Sequence, residues 1–130
     1  MAQIGRPLAL AAAIGGAALM LTGCGGASTA TPVPAPSGVI AIEAKEFLFA
    51  PSTLSVPAGA VTFWVRNAGT VEHEFEIFKG EQVVNEIEGL VPGLAKTLSV
   101  TLAAGDYTFV CKLSGHDQLG MKGTLTVTGG

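Results

Sequence analysis

The chain has 130 residues, a formal charge of −3 and 13% charged side chains. That length leaves room for one domain. A mildly acidic balance with no basic cluster lacks the electrostatic footprint of a nucleic-acid binder, and two cysteines are too few for a disulfide-built scaffold.

In chain order, Met1 to Arg6 make a short, weakly basic start, and Leu8 to Leu21 are almost wholly Ala, Ile, Gly, Leu and Met. That run is too short for a conventional transmembrane helix and suits the apolar core of a secretory signal peptide. Leu21-Thr22-Gly23-Cys24 follows at once. It resembles the lipobox of bacterial lipoproteins, which implies removal of residues 1–23 and lipidation of Cys24. Two or more acyl chains there would give a stable membrane anchor. A Cys24–Cys111 disulfide is the weaker use of the same residue, since it would tie a core strand to a tether. Residues 24–38 are rich in Gly, Ala, Ser, Thr and Pro without charge, and read as a disordered tether. The folded domain is expected over residues 39–129.

Within it, Val61, Phe63 and Val65 alternate with Thr62, Trp64 and Arg66; Leu98, Val100 and Leu102 alternate with Thr97, Ser99 and Thr101; Leu125 and Val127 alternate with threonines. This period of two, cut by Ala58-Gly59, Asn67-Ala68-Gly69, Lys79-Gly80, Pro92-Gly93 and Ala104-Gly105-Asp106, predicts seven to eight short strands and no long helix. The expected fold is all-β, a two-sheet Greek-key sandwich.

Within the expected domain, residues able to bind a soft or borderline metal fall in two places. One is His73. The other is the segment Cys111 to Met121, which also holds His116. Alternation puts His73 on a face with Phe75 and Ile77, and Cys111 on a face with Tyr107 and Phe109, so both point inward at strand ends. A Gly-containing loop then presents His116 and leads to Met121. Two imidazoles, a thiolate and a weak thioether form the ligand set of a blue-copper electron-transfer centre. Zinc gains nothing from the Met. A Cys–His nucleophile would need an orienting group or oxyanion hole that no motif marks, so no enzyme activity is expected.

The spacing Cys-x4-His-x4-Met, with Gly115 before His116 and Gly120 before Met121, resembles the ligand loop of cupredoxins. Phe49-Ala50-Pro51, Leu54 to Gly59, Phe63 to Asn67 and His73-Glu74-Phe75 resemble that family's N-terminal half. The resemblance implies one type 1 copper on His73, Cys111, His116 and axial Met121, and electron transfer with a transient redox partner by a monomer. In the family a small polar residue often follows the first His. Here it is Glu74, which alternation turns away from the site among the solvated carboxylates of Glu72 and Glu76. The segment Glu81 to Gly93 is similar to the cupredoxin domains of periplasmic iron-uptake lipoproteins. It raises a metal-handling alternative, copper carriage or copper-assisted iron uptake. The expected location is the periplasm or the outer face of the cytoplasmic membrane.

Overall fold

The protein is seen in a computed structural model that describes residues 33–130. The expected signal peptide, Cys24 and most of the expected tether lie outside them. Residues 33–38 are exposed and precede the first strand.

Nine strands follow: β1 (Ile40–Lys45), β2 (Leu48–Ala50), β3 (Thr53–Pro57), β4 (Gly59–Asn67), β5 (His73–Lys79), β6 (Gln82–Leu90), β7 (Ala95–Leu102), β8 (Gly105–Val110) and β9 (Lys122–Thr128). The count exceeds the expected seven to eight because β2, only three residues long, pairs with β1 as a strand of its own. Among the described residues no helix is long and apolar enough to cross a membrane. The strands form a four-stranded sheet, β2-β1-β4-β7, and a five-stranded sheet, β3-β9-β8-β5-β6. The chain changes sheet after β2, β3, β4, β6 and β7. Two pairings, β1–β4 and β3–β9, are therefore parallel.

The inward residues of both sheets make one core. Phe49 is the bridge: its ring stands edge-on to Phe75 and Phe109 at centroid distances of 5.6 and 5.4 Å. Phe63 approaches Phe75 from the facing sheet at 5.7 Å. Such tilted and edge-on pairs add about 0.5–1.5 kcal/mol each to the burial itself. Gly123 faces Phe109 across β8 and β9. A Cβ there would collide with the Phe109 ring and the Ser52 carbonyl, so glycine is what leaves room for the ring.

Alternation fails at one predicted position. Glu76, expected in a solvated row with Glu72 and Glu74, is only 9% exposed. It sits on β5 with Glu86 of β6 on one side and Val110 of β8 on the other. An interior strand of a five-stranded sheet is crowded even on its outer face.

Candidate metal centre

Strand β5 runs antiparallel to β8, and β8 antiparallel to β9. The start of β5, the end of β8 and the entry to β9 consequently meet at one end of the larger sheet. His73 is the first residue of β5, Cys111 follows the last residue of β8, and Met121 precedes the first of β9. The intervening loop is shaped by its own backbone bonds. His116 N–H donates to Leu113 O (3.0 Å) and Met121 N–H to His116 O (3.0 Å), while Cys111 N–H closes the loop on Met121 O (3.0 Å). Gly115 has φ of 83°, a left-handed conformation that glycine adopts without penalty and that aims the next residue, His116, back at the sheet end.

The structure brings three of the predicted residues to one point. His73, Cys111 and His116 each offer a donor atom, all within 4.8 Å of one another. Cys111 Sγ and His116 Nδ1 are 3.3 Å apart, and the two imidazole centroids 5.3 Å. His73 and Cys111 are wholly buried, whereas His116 is half-buried. That order follows from a strand origin for the first two and a loop origin for the third. Met121 is buried beside them and held by its backbone bonds to His116 and Cys111.

The electrostatics favour uncharged donors in the metal-free protein. Burial pushes the His73 imidazole below its ordinary pKa, against the pull of the Glu46 carboxylate. Burial pushes the Cys111 thiol up, opposed by the backbone N–H groups of Glu74 and Leu113. The Glu74 N–H lies 3.3 Å from Cys111 Sγ and is placed to stabilise a thiolate once a cation displaces the proton. The Glu74 carboxyl is raised by burial and by Glu88, Glu72 and Glu86, the neighbours expected if it faces away from the site.

The donor set fits a soft or borderline metal ion. His73 carries the sharper sign of it: although the residue is wholly buried, neither ring nitrogen has a hydrogen-bond partner. A buried imidazole left so is costly and rare, and coordination at this cluster would satisfy it. The Nε2 contact to Glu46 Oε1, at 3.4 Å, is electrostatic and falls outside hydrogen-bonding geometry.

Three supporting residues were not foreseen from the sequence. Glu46 and Phe47 form the turn between β1 and β2. Glu46 faces His73, and the Phe47 ring meets His116 edge-on at 4.7 Å. Asn67, at the end of β4, is fully buried. Its Nδ2 donates to Val71 O and Leu90 O, both 2.7 Å, and its Oδ1 accepts from Gly69 N–H at 2.8 Å. It thus pins the loop that delivers His73. In sequence Asn67 reads only as a turn residue, and nothing local marks Glu46 or Phe47.

Fold and donors together define the class: a two-sheet β-sandwich with a His, Cys, His cluster at one end of its larger sheet. The chain belongs to the cupredoxin-like domain family, which it matches over residues 11–127. It is 40% identical over 78 residues to the iron uptake system component EfeO of Yersinia pestis, covering 60% of this chain and 20% of that protein. The chain therefore spans about a fifth of the length of that relative. Reduced auracyanin from Roseiflexus castenholzii superposes with a TM-score of 0.66 at 25% identity, over 72% of this chain and 99% of that one. Auracyanin A, a "blue" copper protein from Chloroflexus aurantiacus, gives 0.62 at 23% identity, over 69% and 98%.

Proposed function

We propose that this is an exported, membrane-tethered protein that holds one copper ion on His73, Cys111, His116 and Met121 and transfers electrons. The convergence of the two imidazoles and the buried thiol, with both His73 nitrogens unpartnered, carries the reading. Copper bound there would supply a one-electron couple. Cys111 would act as thiolate, steadied by the Glu74 N–H. His116, the most exposed of the three, is the point of electron entry and exit. Exposed apolar side chains suit brief contact with a redox partner: Leu119 of the ligand loop is 62% exposed, and Val91 and Leu94, just after the Leu90 that pairs with His73, are 45% and 38%; small, transient interfaces are usual for electron carriers. The protein acts as a carrier and not as an enzyme. The lipobox-like segment, with lipidation at Cys24, would keep it at the outer face of the membrane or in the periplasm.

A second reading has its own support. The similarity to an iron uptake system component favours metal handling, as copper carriage or copper-assisted iron uptake. Repeated reduction and re-oxidation of the copper-loaded domain in the presence of a Cu(I) chelator separates the two. A carrier of electrons returns its full visible absorption over many cycles. Loss of copper to the chelator on the first reduction would overturn that assignment in favour of metal handling.

A further inference from the structure

The turn between β1 and β2 meets the metal centre from the opposite sheet, and its carboxylate is held there by built features. Glu46 Oε1 accepts hydrogen bonds from Thr70 N–H (2.6 Å) and Val71 N–H (3.0 Å), three and two residues before His73. Gly69 completes the seat. A Cβ on Gly69 would strike the Glu46 carboxylate, and the Gly69 backbone is not left-handed, so the missing side chain is about room and not conformation. The same Oε1 then lies 3.4 Å from His73 Nε2. Two backbone N–H donors on one oxygen are the seat of a carboxylate anion.

An anion facing one nitrogen of a buried imidazole selects the tautomer. Its field favours the proton on Nε2, the nitrogen that faces it at 3.4 Å, and leaves the lone pair on Nδ1, where a metal can use it. We propose that Glu46 is a positioning residue: seated by Gly69, Thr70 and Val71, it fixes His73 as the Nε2–H tautomer and turns Nδ1 toward Cys111 and His116. Its negative charge also favours the more positive oxidation state of a metal bound there. This rests on the copper reading for its effect on potential, but the tautomer assignment stands on the metal-free protein.

The tests use the full chain, or the same chain detergent-solubilised from membranes, as wild type, Glu46→Gln, Glu46→Ala and Gly69→Ala. Glu46→Gln keeps an acceptor oxygen and loses the charge. Gly69→Ala keeps the charge and displaces it. Long-range nitrogen–proton NMR of the metal-free wild type at neutral pH should show His73 protonated at Nε2. In Glu46→Ala and Gly69→Ala the His73 signals should become a mixture of tautomers, while amide dispersion shows the fold retained. A wild-type His73 protonated at Nδ1, or a tautomer indifferent to both substitutions, would overturn the proposal. If Glu46→Ala fails to fold, Gly69→Ala decides. With copper, Glu46→Gln should weaken Cu(II) about tenfold relative to Cu(I), an upward shift in potential of ~59 mV. An unshifted potential in a protein that binds copper counts against Glu46 acting on the site. Failure of the wild type to bind copper would instead sink the copper reading and leave the tautomer result standing.

Discussion

Replacing Asn67 by alanine should cost more stability than any other single polar deletion in the described domain. The residue is fully buried and makes three side-chain hydrogen bonds. The bond to Leu90 O is itself buried, so losing Nδ2 strands an acceptor at ~1–3 kcal/mol, while the two part-buried bonds contribute ~0.5–1.5 kcal/mol each. The total is ~2–6 kcal/mol, centred near 4. For a domain of this size 1 kcal/mol moves Tm by roughly 4–8 °C, so the midpoint should fall on the order of 15–30 °C. Urea unfolding of wild type and variant, monitored by the fluorescence of Trp64, gives the difference directly. Asn67→Asp makes the argument sharper. Its second oxygen would replace the Nδ2 donor that faces two carbonyl oxygens, so aspartate should be at least as destabilising as alanine at neutral pH. A cost below about 1 kcal/mol for Asn67→Ala, or an Asn67→Asp variant milder than it, would refute the reasoning.

Three further outcomes are expected. Gly123→Ala should destabilise by ~1–3 kcal/mol, because the new Cβ meets the Phe109 ring and a fixed backbone carbonyl; a neutral or stabilising result in denaturant unfolding would contradict that packing. Glu76 has its carboxyl raised by burial first, then by Glu86, Glu74 and Glu88, with Lys112 opposing. A raised carboxyl penalises the folded state when charged, and the penalty vanishes as pH falls through the raised value and below the unfolded one. Glu76→Gln should therefore stabilise by ~0.2–1 kcal/mol at pH 7 and progressively less toward acid, and a gain that grew on acidification would have the sign wrong. Cys24→Ala should move the protein from the membrane fraction to the soluble one, whereas a variant still sedimenting with membranes would speak against the lipid anchor.

The sequence carried the strands and the three convergent donors for a simple reason. Alternation has a period of two, and burial of one face per strand writes it into neighbouring letters, as in Tyr107, Phe109 and Cys111. The ligand loop is equally local, since Cys111, His116 and Met121 lie within one turn of chain between β8 and β9. What alternation could not show is contact between distant segments. Glu46 has no pattern around it that marks a role, and its role exists only because the loop at Thr70 and Val71 folds over it. Asn67 and Gly69 read as turn formers. Their sequence signal was correct for the turn and silent on the buried network. Glu76 was misplaced for the complementary reason: alternation gives the face a residue points to, but exposure of that face depends on which strands lie alongside.

The central claim is that His73, Cys111 and His116 form one copper site. Titrating the metal-free domain with Cu(II), while recording the visible spectrum of wild type and Cys111→Ser side by side, tests it most directly. The account predicts an intense visible thiolate-to-copper band in the wild type that saturates at one copper per chain and is abolished in Cys111→Ser. A wild type that stays colourless with excess Cu(II), or a Cys111→Ser variant with an undiminished band, would contradict it.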